Sequence, residues 1–208
     1  MNSPLTLRRL RDNRHIRELV TEHRVDHRQL MQPLFVVEGI AERQEVAGLA
    51  GTFRDTPDSL LKQIESDLKA GVTKFLLFPV PKEKIPGIAN PSMREARSGG
   101  GLGVKTPIHH EFTTAQIAAI KRRFGDDLWL AVDVCLCSST AHGQCGIVND
   151  AGDHLENNTT VQQLAAQAQA FAEAGADCVA PSDMMDGRIA AIREAIPKRT
   201  VLMSYAAK

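Results

Sequence analysis

The sequence is poor in aromatic residues and carries no net charge. Aromatic residues make up 4% of its 208 positions, with one tryptophan, one tyrosine and seven phenylalanines. Leucine, valine, isoleucine and alanine must therefore form most of the core, and a hydrophobic content of 43% is enough for a large one. Because 25 basic residues balance 25 acidic ones, the charge gives no reason to expect nucleic acid or an anionic membrane as a partner.

Long apolar runs are also missing. No stretch reaches the length of a membrane span, and the N-terminus lacks the apolar segment of a secretory signal peptide. We therefore expect a cytoplasmic protein in a reducing compartment, where thiols stay available for metal binding. Four cysteines in a chain of this length do not suggest a disulfide scaffold.

Three of the four cysteines, Cys135, Cys137 and Cys145, lie close together in the sequence. A Cys-x-Cys pair followed by a third thiol is a spacing typical of metal ligands, and zinc binds thiolates readily. Three protein ligands leave a fourth position for water or substrate, which is typical of catalytic zinc. Two alternatives stay open on spacing alone. The cysteines could be small buried hydrophobes, or the zinc could be structural, with Cys178 as its fourth ligand.

Residues 1–30 are basic and polar, with few large apolar side chains. We expect this segment to form an N-terminal arm with a short helix over Arg14–Glu22, lying on another surface. An arm that binds nucleic acid is disfavoured because no aromatic residues are interspersed among its arginines.

From residue 31 to 208, short apolar segments alternate with helical patterns. Strands are predicted at Pro33–Val37, Lys74–Phe78, Leu128–Asp133, Asp177–Pro181 and Thr200–Tyr205. Helices are predicted at Asp58–Ala70, Thr114–Phe124, Thr160–Ala174 and Gly187–Ala195, two of them followed by glycine. This alternation predicts a parallel sheet with right-handed crossovers, either a (β/α)8 barrel or a doubly wound sheet. No Gly-x-Gly-x-x-Gly follows the first strand, which disfavours a dinucleotide site.

Polar segments follow three successive predicted strands. The cysteine cluster follows the third strand, Ser182–Arg188 the fourth, and Ser204–Lys208 ends the fifth. In a barrel the residues after the strands converge at one face, where the chemistry takes place. The sequence therefore predicts an active site at this edge. The glycine-rich stretch Ser98–Gly103 fits a flexible lid and a plain linker equally well.

Several polar residues near these strand ends have both a functional and a structural interpretation. Asp133 could orient a substrate or cap a loop turn. His142 could hydrogen-bond the metal-binding thiolates without binding the metal itself, or be a solvated loop residue. Asp183, Asp186 and Arg188 fit a helix cap and a structural ion pair as well as they fit a site.

These motifs resemble those of porphobilinogen synthase, also called δ-aminolevulinic acid dehydratase, of the zinc-dependent type. The resemblance covers nearly the whole chain. It is carried by Arg9–Arg14, Arg17–Val20, Pro33–Gly39, Leu77–Pro81, Asp133–Cys137, His142–Gly146, Ala174–Asp177, Ala180–Arg188 and Met203–Lys208. The cysteine spacing together with Pro-Ser-Asp-Met-Met-Asp-Gly-Arg makes it highly specific.

The resemblance implies a TIM barrel over residues 31–208 and an arm, residues 1–30, that wraps a neighbouring subunit in a homo-oligomer. It implies a hydro-lyase that condenses two molecules of 5-aminolevulinate to porphobilinogen, in heme biosynthesis, through lysine Schiff bases and a catalytic Zn²⁺. By the same resemblance, Lys208 is the first Schiff-base lysine, and Asp133 and Ser182 line the substrate pocket. The zinc ligands are Cys135, Cys137 and Cys145.

The sequence departs from the family in two places. About five of the eight strands are predicted, and neither the second Schiff-base lysine nor the arginines that bind the substrate carboxylate are recognisable. We therefore expect a C-terminal truncation, with an α-carboxylate beside Lys208 that weakens the nucleophilicity of its amine. The alternative function is a zinc-binding fragment without catalytic competence. The second departure is Ile88–Gly101, which does not align with the family's loop after the second strand.

Overall fold

The computed structural model describes residues 8–84, 110–149 and 153–205. Two expectations, the glycine-rich stretch Ser98–Gly103 and the divergent Ile88–Gly101, lie outside the described residues, and so does Lys208. The chain divides into two compact units, Met1–Leu30 and Met31–Lys208. No helix in the described ranges is long and apolar enough to cross a membrane.

The first unit consists of short helical turns. Helix α1 spans Arg14–Leu19, and 3-10 turns lie on either side of it at Arg9–Arg11 and His27–Gln29. The side chain of Asn13 caps α1 by accepting a hydrogen bond from the amide of Ile16 at 3.1 Å. The helix is shorter than the predicted Arg14–Glu22, and none of its residues is buried. A helix this short depends on contacts beyond itself for its stability.

The second unit contains a seven-stranded sheet in the order β2-β3-β1-β4-β5-β6-β7. The strands are β1 Gln32–Val37, β2 Gln44–Glu45, β3 Phe53–Asp55, β4 Lys74–Val80, β5 Trp129–Val134, β6 Cys178–Pro181 and β7 Val201–Leu202. All neighbours pair in parallel except β2, which is antiparallel to β3. The five predicted strands are present, although the fifth, predicted over Thr200–Tyr205, is only the two-residue β7, and β2 and β3 are additional.

In the part of the chain that the structure describes, four helices connect the parallel strands. They are α2 Pro57–Lys69, α3 Glu111–Phe124, α4 Asn157–Glu173 and α5 Arg188–Ala195. Thr56 and Ser59 start α2 with reciprocal side-chain-to-amide hydrogen bonds of 3.1 and 2.9 Å. The predicted glycine stops are confirmed, because Gly71 and Gly175 follow α2 and α4 with φ of 90° and 109°.

From β1 onwards, strands β4 to β7 join the sheet in chain order, each beside the strand before it. Right-handed crossovers in a constant direction place the connecting helices on one side of the sheet. Helix α4 accordingly contacts both α3 and α5. The carboxyl ends of β4, β5, β6 and β7 therefore lie side by side along one edge.

The core lies between this helical layer and one face of the sheet. The largest fully buried side chains there include Leu60, Ile64, Phe75, Leu77, Ile117, Ile120, Leu130, Leu164, Phe171 and Ile192. Burying such a side chain contributes about 1.5–3 kcal/mol. On the other face, register partners Phe35 and Phe78 stack with ring centroids 5.0 Å apart. By strand alternation, Asp133 lies on this second face.

Candidate metal centre and active site

Three thiols meet directly after β5. The sulfur atoms of Cys135, Cys137 and Cys145 all lie within 4.8 Å of one another, and within the described residues they are the one group of this kind. Tetrahedral zinc with Zn–S bonds of about 2.3 Å places its sulfurs about 3.8 Å apart. Shifts of about one ångström would bring these thiols to that spacing. Cys135 is buried, whereas Cys137 and Cys145 are partly exposed.

Hydrogen bonding and burial favour the protonated form of one thiol of the cluster, that of Cys135. A hydrogen bond with Cys137, followed by burial, raises the pKa of the Cys135 thiol far above its usual range. A metal ion binds the thiolate form of cysteine and displaces the thiol proton. The donor set therefore fits a thiophilic cation.

A tight turn follows Cys135 and orients the middle thiol. Leu136 is fully buried, and its carbonyl accepts hydrogen bonds from the amides of Ser139 at 2.9 Å and Thr140 at 3.0 Å. The anchored leucine fixes one side of Cys137. The chain then reverses direction, which allows Cys145 to lie beside the other two thiols.

The return to Cys145 is organised by hydrogen bonds within the loop. The hydroxyl of Thr140 donates to the carbonyl of Gln144 at 2.9 Å. The Nδ1 of His142 accepts from the amide of Gln144 at 3.0 Å. His142 thus shapes the turn that precedes Cys145. Its side chain is exposed, as expected for the alternative of a solvated loop residue.

Directly after Cys145, the loop presses against the start of α4. A Cβ added to Gly146 would lie 3.1 Å from the hydroxyl oxygen of Thr160 and 3.2 Å from Cδ2 of Leu155. The same hydroxyl accepts from the amide of Ile147 at 3.0 Å. Only glycine fits this approach without displacing its neighbours.

Cys178 stands apart from the cluster. It is fully buried in β6, and its thiol donates to the carbonyl of Val179 at 3.5 Å. Burial raises the pKa of this thiol to about 11. The structure therefore does not support the alternative of a structural zinc site with Cys178 as its fourth ligand.

Asp133 lies two residues before the first thiol and accepts a hydrogen bond from the hydroxyl of Tyr205. Ser182 is buried, its amide donates to the carbonyl of Val134 at 3.2 Å, and its side chain lies near the phenol of Tyr205, whose pKa it lowers. Partial burial and the Asp133 carboxylate raise the pKa of Tyr205 well above its usual range. The phenol of Tyr205, which follows β7, thus forms a hydrogen bond with β5 and lies near Ser182 at the end of β6.

Tyr205 was not predicted as a site residue. It belongs to the Ser204–Lys208 segment that the sequence singles out, and its backbone continues the ladder beyond β7. The amides of Met203 and Tyr205 donate to the carbonyls of Val179 at 3.1 Å and Pro181 at 3.5 Å. Its place after a strand was the available signal, but only the packed structure shows that its side chain reaches across β6 to Asp133.

The segment after β6 is shaped by a buried ion pair. The fully buried Asp183 accepts from the amide of Met185 at 2.8 Å and lies 3.1 Å from Nε of Arg188. The amide of Asp186 donates to the side chain of Asn157 at 2.9 Å, which ties the segment to the start of α4. The structural interpretation of Asp183 and Arg188 is the one that the geometry supports.

Comparison with known proteins decides the family. The profile of the delta-aminolevulinic acid dehydratase family matches residues 5–208. The chain belongs to this family. The dehydratase of Ruminiclostridium josui is 38% identical over 205 residues, which is 97% of this chain and 91% of that protein. The dehydratase of Methanothermus sociabilis is 37% identical over 213 residues, which is 100% of this chain and 61% of that protein.

A solved structure matches as well. It is the delta-aminolevulinic acid dehydratase (porphobilinogen synthase) of Toxoplasma gondii ME49 in complex with the reaction product porphobilinogen. The match has a TM-score of 0.82 at 32% identity and covers 100% of this chain and 56% of that one. The predicted α/β class and TIM-barrel family are thereby confirmed over the doubly wound alternative. The chain spans 56–61% of the length of the Toxoplasma and Methanothermus dehydratases.

Proposed function

We propose that the chain is a porphobilinogen synthase, a hydro-lyase that condenses two molecules of 5-aminolevulinate to porphobilinogen with loss of water. One observation carries the proposal: three thiols within 4.8 Å of one another directly follow the strand that bears Asp133. A metal-binding group and a carboxylate then face the same edge of the sheet. The family membership supplies the reaction.

The metal of this proposal is Zn²⁺, held by the sulfurs of Cys135, Cys137 and Cys145. Three soft thiolates suit zinc better than magnesium or calcium, which prefer oxygen ligands. When bound, zinc supplies Lewis-acid polarisation of a substrate oxygen or its leaving water. The partial exposure of Cys137 and Cys145 leaves this position accessible to a substrate.

Asp133 and Ser182 contact the substrate in this proposal. The hydroxyl of Tyr205 donates to Oδ1 of Asp133, and this hydrogen bond fixes the orientation of the whole carboxylate. Asp133 orients the amino group of 5-aminolevulinate and accepts a proton from it. Ser182, buried beside the phenol, lines the same pocket.

Lys208, which lies outside the described residues, follows Tyr205 by three positions in the sequence. In this proposal its free amine attacks the ketone carbon of 5-aminolevulinate, and the carbinolamine then loses water to give a Schiff base. The lysine must be unprotonated to react, so its pKa has to be lowered by its surroundings.

Residues 1–30 mediate homo-oligomer formation in this proposal. The segment carries large apolar side chains that are exposed, Leu19 at 75% and Val25 at 86%. Such side chains suit a subunit interface better than water. Leu19→Glu combined with Val25→Glu should lower the mass measured by light scattering. An unchanged mass would contradict this role.

The activity is tested by incubating the protein with 5-aminolevulinate and Zn²⁺ and measuring porphobilinogen with Ehrlich reagent. Product should form with zinc and not with a chelator, and Lys208→Met should abolish it. Lys198→Met, at an exposed lysine outside the site, is the matched control. No product under any zinc condition would contradict the proposal.

Borohydride trapping followed by mass spectrometry separates two failures. An adduct at Lys208 without product would favour the alternative, a zinc-binding member of the family without the complete reaction. If neither the adduct nor the product is detected, the assignment of Lys208 to the site is wrong.

A further inference from the structure

Lys84 reaches the cysteine loop from the segment that follows β4. Its Nζ donates a hydrogen bond to the main-chain carbonyl of Ser138, 54 positions away in the sequence. Ser138 directly follows Cys137, the middle thiol of the cluster. The Lys84 side chain is half-buried, which lowers the pKa of its ammonium, and the nearby Cys137 opposes this shift. A half-buried cation therefore lies next to the metal-binding loop.

This contact completes the restraint on Cys137. On one side, the buried Leu136 accepts two loop amides and fixes the backbone. On the other side, the Ser138 carbonyl is held by Lys84. A ligand between two anchored neighbours loses little conformational freedom when a metal binds, which favours affinity.

The positive charge of Lys84 is also favourable beside the metal-binding cysteines. Three thiolates around a divalent cation carry a net charge of −1, and this charge is partly screened from water by the loop. An ammonium group nearby stabilises thiolates and offsets the excess charge. Hydrogen bonds that involve a charged group are also stronger than neutral ones.

We propose that Lys84 is a positioning residue of the metal centre, holding Cys137 in place through the Ser138 carbonyl and offsetting the charge of the metal–thiolate group. This inference rests on the metal site of the proposed function and not on the condensation reaction. It assigns a role to Lys84, which is not one of the three clustered thiol ligands.

Cobalt(II) titration of the full chain tests the inference, because thiolate-to-cobalt charge-transfer absorption reports ligation directly. Lys84→Met should weaken cobalt affinity about tenfold, the size expected for losing one hydrogen bond to a charged group. Lys84→Arg, which keeps the charge and a donor, should recover most of the affinity. Lys82→Met, at the exposed lysine two positions earlier, should bind as the unsubstituted protein does.

Three outcomes would overturn the inference. They are cobalt affinity of Lys84→Met within twofold of the unsubstituted protein, an equal loss in Lys82→Met, and absence of the charge-transfer band in the unsubstituted protein. Far-ultraviolet circular dichroism checks folding, and Lys84→Gln carries the same prediction if Lys84→Met does not fold. Normal cobalt behaviour without porphobilinogen formation would sink the proposed function and leave the role of Lys84 intact.

Discussion

The hydroxyl of Tyr205 donates to the carboxylate of Asp133, and this hydrogen bond spans β6 to join the segments that end β5 and β7. Because the amide of Tyr205 also donates to the carbonyl of Pro181 in β6, this one residue connects three neighbouring strands. The carboxylate next to the thiol cluster is therefore oriented by a residue distant in sequence.

This relationship can be measured because Tyr205 is the only tyrosine of the chain. Partial burial and Asp133 raise its pKa above the ordinary value of 10.0, so tyrosinate absorbance of the folded protein should appear only at higher pH. Asp133→Asn should lower the pKa part of the way back, since burial is the larger cause. A folded-state midpoint at the ordinary value would contradict the hydrogen bond.

The same shift fixes the sign of a stability effect. The folded state favours the protonated phenol, so its contribution to stability is fully present below the ordinary pKa of 10.0. It is lost as pH rises through the raised folded-state pKa. The free energy of unfolding in urea should therefore exceed that of Tyr205→Phe by less and less as the pH rises above 10.0, the pKa of tyrosine in the unfolded protein.

The three clustered cysteines should differ from the fourth in metal binding. Replacing Cys135, Cys137 or Cys145 by serine removes one sulfur of a three-thiol set, which should abolish stoichiometric zinc retention. Cys178→Ala is the matched control because this thiol lies inside β6 and outside the cluster. Zinc content after gel filtration measures both. Zinc loss in Cys178→Ala, with the fold intact, would argue against the assigned ligand set.

Asp67 near the end of α2 should be a destabilising residue at neutral pH. Burial raises the pKa of its carboxyl, and one of its oxygens, Oδ2, is buried without a hydrogen-bond partner. A negative charge in the last turn of a helix also opposes the helix dipole. Asp67→Asn should therefore stabilise the protein by about 0.3–1 kcal/mol at neutral pH.

The pH dependence and a control sharpen this prediction. A raised folded-state pKa means that the contribution of Asp67 to stability is present below the ordinary pKa of 3.8 and lost as pH rises. The gain from Asp67→Asn should vanish near that pH. Asp58→Asn, in the first turn of the same helix, should destabilise instead. Thermal unfolding of both variants gives the comparison, and equal signs would contradict the dipole argument.

The sequence predicted the main strands and helices because their signals are local. Buried parallel strands are short apolar runs, and glycine at positive φ ends α2 and α4. Strands β2 and β3 were missed for a physical reason. They have two and three residues, and both residues of β2 are exposed, so pairing with a neighbour is what makes them strands. Such pairing leaves no apolar pattern in the sequence.

The candidate site divides in the same way. The thiol cluster is encoded in one stretch of chain, so its spacing alone predicted a metal site. Tyr205 and Lys84 contact that stretch from the segments that follow β7 and β4, and their importance depends on which strands are neighbours. No local pattern distinguishes Lys84 from the exposed Lys82, because only the folded sheet places one of them against Ser138.

Because Gly146 packs against the start of α4, the position of the third thiol, Cys145, depends on the position of that helix. Cys145 is followed by a glycine that leaves no space for a side chain against Thr160 and Leu155, and the next amide, of Ile147, donates to the Thr160 hydroxyl. A displacement of the first turn of α4 would therefore carry Cys145 with it, while Cys135 and Cys137 stay fixed to β5. The geometry around a bound ion would open or tighten with a helix that contributes no ligand of its own.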